Sequence, residues 1–154
     1  MNTLGVVPCG KKKIWDQEPG CGAVPAREAY TGTFHRLAHA YAERFTDRWV
    51  VLSAKFGFLA PDDLVTGPYD VTFNRPRDPR CITTAELREQ VRQKGLDQFA
   101  KVVVVCGSEY IRRVRVAYQG TNVEIVTPLL GKGGIGSMMR WLKQAVENQV
   151  ENPR

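Results

Sequence analysis

The sequence lacks any long hydrophobic run. None of the apolar segments in its 154 residues approaches the roughly 20 residues that a membrane-spanning helix requires. The first four residues, Met-Asn-Thr-Leu, also lack the basic stretch and long apolar core of a secretory signal. We therefore expect a cytoplasmic protein that has no membrane partner.

Paired cysteines at metal-binding spacing are also missing. The four cysteines form no Cys-x-x-Cys motif, which favours free thiols in a reducing compartment and neither a metal nor a cofactor. They are Cys9, Cys21, Cys81 and Cys106. Two metal-binding alternatives stay open. Three of these cysteines, at positions 9, 21 and 81, could bind zinc together with a histidine, and His35 and His39 are four residues apart on one predicted helix.

A third absence concerns nucleotide hydrolysis. The chain has no G-x-x-x-x-G-K-[ST] motif, so ATP hydrolysis loses its usual signature. The charge is biased, because 22 Lys and Arg residues outnumber 16 Asp and Glu residues and give a net charge of +6. This bias favours a partner that carries phosphate, namely a nucleotide, a nucleobase compound or a nucleic acid.

Four apolar, β-branched segments predict strands at residues 4–7, 49–52, 102–106 and 123–126. Their continuous hydrophobicity indicates that both faces are buried, as in a parallel sheet covered by helices. Helical patterns lie between and after them. The helices are predicted at residues 34–45, after the Thr83–Glu86 capping box, from about Ser108, and after Gly133 and Gly134, with Ile135 on the buried stripe of the last one.

These patterns predict one α/β domain over residues 1–146, a three-layer α/β/α arrangement with a mostly parallel, four-stranded central sheet. We expect residues 147–154 to form a frayed tail. Residues 60–82 contain four prolines and predict a long irregular loop, which in a compact domain is usually functional or mobile.

The ends of the predicted strands indicate the site. Ligands of open parallel sheets bind beyond the carboxyl ends of the strands, where glycine lets backbone N–H groups approach an anion. From these segments and the 60–82 loop we take the candidate ligand-binding residues. They are Gly10, Lys11, Ser53, Lys55, Phe56, Tyr69, Asn74, Gly107, Ser108, Tyr110 and Lys132. The competing interpretation treats Lys12 and Lys13 as a solvated turn and Lys55 as a surface lysine.

Three residues are candidates for catalysis. Cys9 directly follows the first strand, beside three lysines that would favour its thiolate. Asp70 and Asp16 are carboxylates that could orient water. The alternative for Asp70 is a structural turn after Tyr69.

Four motifs together resemble a small family of uncharacterised bacterial and phage proteins. They are Pro-Cys-Gly-Lys-Lys-Lys-Ile-Trp-Asp at residues 8–16, Pro-Ala-Arg-Glu-Ala-Tyr-Thr-Gly at 25–32, Leu-Ser-Ala-Lys-Phe-Gly-Phe-Leu at 52–59 and Gly-Pro-Tyr-Asp at 67–70. The run from Leu52 to Pro61, continued by Pro68 and Tyr69, is also similar to the peroxide-stress DNA-binding protein family YaaA, whose relatives include proteins of deazaguanine DNA modification.

The C-terminal half resembles the uracil-DNA glycosylase superfamily in residues 102–110 and in Thr127-Pro128-Leu129 before a glycine-rich helix start. It departs from that superfamily at two positions. Thr127 stands where the family's histidine is expected, and no Gly-Gln-Asp-Pro-Tyr motif follows the first strand. The usual residues for uracil excision are therefore missing.

Together these features predict an enzyme that processes a nucleobase or nucleotide, by N-glycosidic cleavage or modified-base hydrolysis. In this hypothesis lysines 11, 55 and 132 hold phosphate and aromatic residues stack the base. The rival hypothesis is a non-catalytic, YaaA-like DNA-binding protein, which Arg112, Arg113 and Arg115 would favour.

Overall fold

A central sheet organises the chain in the computed structural model, which describes residues 2–152. The strands are β1 (Thr3–Pro8), β2 (Val24–Pro25), β3 (Arg48–Ser53), β4 (Gly57–Leu59), β5 (Leu64–Val65), β6 (Lys101–Val104) and β7 (Glu124–Val126). The helices are α1 (Ala26–Ala29), α2 (Thr33–Phe45), α3 (Thr84–Gln93), α4 (Ser108–Ala117) and α5 (Ile135–Glu147). Short 3₁₀ turns occupy Ile14–Asp16 and Leu96–Gln98.

The central sheet has the order β4-β3-β1-β6-β7. Strands β3 and β6 pair in parallel with β1 on either side, and β7 pairs in parallel with β6. The α/β class and the mostly parallel sheet are therefore confirmed. The predicted strand count of four is wrong, because β4 pairs antiparallel with β3. It was missed because it has three residues and follows β3 after a tight turn, which leaves no separate hydrophobic pattern.

Helices cover both faces of this sheet, which gives the predicted three layers. Side chains of successive strand residues point to opposite faces, so Val6 joins the core under α3 and α4 and Val7 joins the core under α2 and α5. Both valines are fully buried, and each contributes roughly 1.5–3 kcal/mol by leaving water. Helix α2 approaches β1 closely at Gly5, where a Cβ atom would lie 3.0 Å from the Cβ of Ala42.

Two further details differ from the expectations. The loop at residues 60–82 contains β5, which pairs with β2 in a small antiparallel sheet. In α5, Ile135 is exposed and does not lie on the buried stripe, because the face that meets the sheet begins later, with Trp141 and Leu142.

Beyond α5, the hydroxyl of Tyr41 donates to the carbonyl of Glu151 at 2.7 Å. Between residues 2 and 152, no helix is both long and apolar enough to cross a bilayer.

The turn between β3 and β4 is held by the side chain of Gln90. Its amide donates to the carbonyl of Phe56 at 3.0 Å, and its oxygen accepts from the backbone N–H of Phe58 at 2.8 Å. Gly57 lies between these two residues with a φ of 77°, and a Cβ atom there would meet the Gln90 amide and lie 2.7 Å from Cδ1 of Ile82. This position therefore requires glycine both for its backbone conformation and for space.

We predict that Gly57→Ala lowers the free energy of unfolding by about 2–5 kcal/mol, because left-handed backbone strain adds to a steric clash. Gly120→Ala is the matched control. Gly120 has a φ of 86° and nothing within 4 Å of the added Cβ, so it should lose only the strain of about 1–2 kcal/mol. Urea denaturation measures both. An equal loss of unfolding free energy in the two variants would contradict the prediction, because it would show that Gln90 and Ile82 move aside for the added Cβ atom without destabilising the protein.

Candidate functional site

Six side chains meet beyond the carboxyl ends of β1 and β3. We call this group the Cys9 cluster. Its members are Cys9, Lys13, Tyr30, Ser53, Tyr69 and Tyr110. They come from five separate segments of the chain, and the parallel sheet brings those segments to one edge.

Cys9 is the first residue after β1, and its side chain is almost completely buried. Its sulfur lies 3.4 Å from the hydroxyl of Tyr110, which stands one turn into α4. All four cysteines of the chain are free thiols. Cys9 therefore offers a reduced sulfur with a hydrogen-bonding partner at the centre of the cluster.

Lys13 is buried beside it, with only 4% of its surface exposed. Its ammonium donates to the carbonyls of Gly10 at 3.3 Å and Lys11 at 3.1 Å, and lies 4.4 Å from the centre of the Tyr69 ring. The backbone N–H of Lys13 donates to the Asp16 carboxylate at 2.9 Å. The solvated-turn interpretation holds for Lys12, which is exposed, and is wrong for Lys13.

Burial lowers the pKa of Lys13, and negative charge at Cys9, Asp16 and Asp70 acts in the opposite direction. Two carbonyls and an aromatic face hold the ammonium in place. Lys13 thus supplies a fixed positive charge inside the cluster.

Three hydroxyl groups form a continuous chain of hydrogen bonds in the cluster. The hydroxyls of Ser53 and Tyr69 are 2.7 Å apart, and those of Tyr69 and Tyr30 are 2.6 Å apart. Ser53 is fully buried at the end of β3, and Tyr30 is 3% exposed. Tyr69 links them from the 60–82 loop, so that loop forms one wall of the site.

The tyrosines of the cluster are held in their protonated forms. Burial raises the pKa of Tyr30 to about 12, although the hydrogen bond from Tyr69 acts to lower it. Burial, followed by negative charge at Cys9, raises the pKa values of Tyr69 and Tyr110 far above the usual range. The phenols are therefore proton donors at physiological pH and not bases.

Aromatic rings and one lysine border the cluster. Phe56 meets Tyr69 edge to face at 5.3 Å between ring centres, and Phe73 meets Tyr110 in the same way at 5.3 Å. Lys55 is exposed, and its ammonium lies 5.1 Å from the centre of the Phe56 ring. This position of Lys55 fits both the ligand-binding prediction and the competing interpretation of a surface lysine.

The remaining candidates lie outside the cluster. Gly10, Lys11, Asn74, Ser108 and Lys132 are exposed, and Gly107 caps the N-terminus of α4. The Lys132 ammonium lies 5.7 Å from the centre of the Trp141 ring in α5. The three lysines that the sequence proposes as phosphate-holding are thus exposed.

Neither candidate carboxylate forms a hydrogen bond or an ion pair with a side chain of the Cys9 cluster in residues 2–152. Asp70 is exposed and forms an ion pair with Arg80 at 3.2 Å, and its backbone carbonyl accepts from Arg75 at 2.8 Å. Asp16 is exposed and accepts the backbone N–H of Lys13, which closes the 3₁₀ turn. The Asp70 carboxylate accepts no backbone N–H in the described residues, so neither the catalytic role nor the turn expected for Asp70 is decided by these contacts.

The arginines of α4 also have structural contacts. Arg113 is buried, donating to the Glu109 carboxylate at 2.8 Å and to the carbonyl of Phe73 at 3.1 Å. Arg112 pairs with the same Glu109 at 2.9 Å. Arg112 and Arg115 are exposed, and Arg115 forms no ion pair among the described residues.

Open helix N-termini are a further feature of this edge. Helices α2, α4 and α5 begin after Gly32, Gly107 and Gly134, and none of these residues provides a side-chain cap. Backbone N–H groups at a helix N-terminus attract anions. As for metals, residues 2–152 contain no group of three His, Cys, Asp or Glu side chains placed to hold an ion.

Sequence reasoning missed two members of the cluster, Lys13 as a buried group and Tyr30. Tyr30 lies in the Glu-Ala-Tyr-Thr-Gly motif just before α2, and the sequence assigns it no role. Its backbone pairs with that of Lys13 in an isolated β-bridge. One sequence signal could have identified Tyr30. It lies two residues before Gly32, and helix α2 begins there at the same sheet edge as Cys9.

A comparison with known proteins shows the family. Residues 4–144 match the model of a family of unknown function, DUF6884. The chain belongs to this family. YfjM of Bacillus subtilis (strain 168), described as an uncharacterised protein, is 46% identical over 151 residues, which cover 98% of this chain and 99% of YfjM.

Among solved structures, the chain is similar to AF0587, described as a protein of unknown function. The identity is 15% and the TM-score is 0.41, with 94% of this chain and 44% of AF0587 covered. The chain thus spans less than half the length of that protein. All six residues of the Cys9 cluster fall within the DUF6884 match.

Beside the cluster, His35 ties α2 to the end of β1. Its Nδ1 lies 2.7 Å from the carbonyl of Pro8, which can only accept, so Nδ1 carries the proton. Its Nε2 is buried without a hydrogen-bonding partner among the described residues. Burial lowers the pKa of His35 from its ordinary 6.5 to about 4, so the ring is neutral at physiological pH.

This shift predicts a loss of stability in acid. Between the two pKa values the unfolded chain binds more protons than the folded one, so the His35 contribution is complete above about pH 6.5 and disappears as the pH falls towards 4. We expect His35→Gln to reduce by about 3 kcal/mol the stability lost between pH 7 and pH 4. Urea denaturation of the wild type and of His35→Gln at both pH values measures this loss, with His39→Gln as the control. An equal loss of stability between pH 7 and pH 4 in all three proteins would contradict the prediction.

Proposed function

We propose that this protein is a nucleobase- or nucleotide-processing enzyme that hydrolyses a modified base, in a nucleotide or in nucleic acid, with Cys9 as its nucleophile. The observation that carries the proposal is a buried, reduced thiol beside a buried ammonium within a ring of phenols. A thiolate is the nucleophilic form of cysteine, and a neighbouring cation favours it.

The surroundings of Cys9 support a flat, phosphate-bearing substrate. Phe56, Tyr69 and Tyr110 present aromatic rings at the site, and aromatic rings stack on nucleobases of any kind. The exposed lysines at positions 11, 12, 55 and 132 and the open N-termini of α2, α4 and α5 are suited to phosphate. The base would thus enter towards Cys9 while its phosphate stays at the rim.

Between the two reactions expected from the sequence, these contacts favour modified-base hydrolysis. N-glycosidic cleavage depends on a carboxylate that stabilises the positive charge developing on the sugar. Asp70 is engaged by Arg80 and Asp16 by the backbone of Lys13, so each carboxylate already has an ionic or hydrogen-bonding partner. Attack by a thiolate on an electrophilic carbon of the base needs no such carboxylate.

The second candidate function is a non-catalytic DNA-binding protein. The exposed lysines favour it, since phosphate contacts alone give affinity without sequence selectivity. Arg112 and Arg113 support it less than the sequence suggests, because Glu109 pairs with both. A pure DNA-binding protein would also have no need for a buried thiol beside an ammonium.

The test is incubation of the protein with modified and unmodified nucleosides, nucleotides and DNA, with products detected by mass spectrometry. We predict that Cys9→Ser lowers turnover by at least about a hundredfold while the fold is kept. Cys21→Ser is the matched control, because Cys21 is an exposed free thiol. Asp70→Asn should leave turnover within about threefold of the wild type.

Other results would decide against the proposal. Full turnover in Cys9→Ser removes the thiol from the reaction, and a large loss in Asp70→Asn returns the carboxylate mechanism. Binding of DNA with a steep salt dependence and no product from any substrate supports the DNA-binding alternative.

A further inference from the structure

The Cys9 cluster is closed to solvent. Four of its six residues are buried, with at most 4% of each exposed, namely Cys9, Lys13, Tyr30 and Ser53. The proposed function requires a substrate to reach the sulfur of Cys9, so part of the wall around the cluster must move. The contacts of each wall identify the part that can.

Tyr69 and Tyr110 are partly exposed and form the outer layer of the cluster. Tyr110 is fixed by its helix, because its backbone N–H donates to the carbonyl of Gly107 at 3.2 Å and the next residue, Ile111, is buried in the core. Tyr110 therefore cannot swing outwards without disrupting α4.

Two further walls are held by contacts to their backbones. The backbone of Lys13 pairs with that of Tyr30 in the β-bridge. The turn after β3 is held by Gln90, whose amide donates to the carbonyl of Phe56 at 3.0 Å. Neither wall can open unless these backbone contacts break.

Residues 66–70, which carry Tyr69, have few such contacts, and we call them the Tyr69 strap. In the part of the chain that the structure describes, no backbone group of residues 67–70 is hydrogen-bonded to another backbone group. No residue of the strap is buried, whereas Val65 before it and Val71 after it are. The strap is thus a short surface segment between two fixed points.

The side chain of Tyr69 holds the strap against the cluster. Its hydroxyl lies 2.7 Å from that of Ser53 and 2.6 Å from that of Tyr30. The ammonium of Lys13 lies 4.4 Å from the centre of its ring. Each hydrogen bond contributes only modestly to stability, because water replaces it when it breaks. These contacts can therefore be lost locally, without unfolding of the core.

We propose that the Tyr69 strap is a lid over the Cys9 cluster, which opens locally to admit the substrate while the sheet stays folded. Tyr69 contacts three of the four buried residues of the cluster, so its departure removes a cover that they share. The role of this opening in catalysis rests on the proposed function, whereas the opening itself does not.

The cysteines of the chain can report the opening. Iodoacetamide alkylates accessible thiols, and mass spectrometry of the peptides gives a rate for each cysteine. Cys21 is exposed and reports unhindered reaction, and Cys106 is fully buried and reports global unfolding. We expect Cys9 to react at least about tenfold slower than Cys21 and at least about tenfold faster than Cys106. Low concentrations of urea should accelerate Cys106 and hardly affect Cys9, because opening of a strap exposes little surface.

Tyr69→Phe tests the hydroxyl contacts of the lid. This variant keeps the ring but loses both hydrogen bonds, so we expect alkylation of Cys9 to be about tenfold faster and that of Cys106 to be unchanged. Tyr118→Phe is the matched control, since this buried hydroxyl donates to the carbonyl of Leu96 at 2.9 Å, outside the cluster.

A second variant loosens the strap without altering the cluster. The guanidinium of Arg75 donates to the carbonyl of Asp70 at the end of the strap, so Arg75→Ala should accelerate alkylation of Cys9 about threefold. Since Arg75 is exposed, this variant also serves if Tyr69→Phe does not fold. Arg77→Ala is its control, because Arg77 is exposed and its side chain forms no hydrogen bond or ion pair within residues 2–152.

Three results would overturn the lid. Alkylation of Cys9 as fast as that of Cys21 would show that the cluster is already open. Equal rates and equal urea dependence for Cys9 and Cys106 would show that only global unfolding exposes the cluster. Unchanged alkylation of Cys9 in both Tyr69→Phe and Arg75→Ala would show that another wall moves.

Failure of the proposed function has a separate sign. Full turnover in Cys9→Ser removes the thiol from the reaction but does not affect the alkylation rates of the wild type, on which the lid is judged. Any of the three results above removes the lid and leaves the role of Cys9 to its own turnover measurement.

Discussion

The parallel pairing of β1 with β3 and β6 is the constraint on which the rest of this structure depends. Because all three strands run in the same direction, the residues that follow them reach one edge of the sheet. Cys9 is the first residue after β1, Ser53 the last of β3, and Tyr110 lies one turn into the helix that follows β6. The strands are buried on both faces, so their register is firmly specified. The precision of the Cys9 cluster therefore comes from the core and not from the loops that contribute its other members.

Much of this arrangement follows from the sequence, because it depends on local patterns. Four β-branched segments predict the parallel strands, and their ends indicate where Cys9, Ser53 and Tyr110 lie. The capping box at Thr83 also appears as predicted, with both of its hydrogen bonds present. Strand β4 could not be predicted, since three residues after a tight turn carry no periodicity of their own.

The interior of the cluster could not be predicted, because it depends on contacts between distant segments. Lys13 is buried because Gly10 takes a left-handed conformation and the chain folds back on itself, and because the Tyr69 ring covers the ammonium. The contact between the Tyr30 and Tyr69 hydroxyls joins residues 39 positions apart. The ion pair of Asp70 with Arg80 likewise depends on the path of the 60–82 loop. A pattern of residue types shows that such groups exist but not which of them meet.

Burial explains why the phenols of the cluster are neutral. A low-dielectric surrounding penalises every charged form, so it keeps the phenols of Tyr30, Tyr69 and Tyr110 protonated. One cation, the ammonium of Lys13, is held there by two carbonyls and an aromatic face, and its charge can be balanced by one anion. The cluster thus combines three neutral phenols with one lysine held between carbonyls and an aromatic ring, and the proposed chemistry of Cys9 rests on this combination.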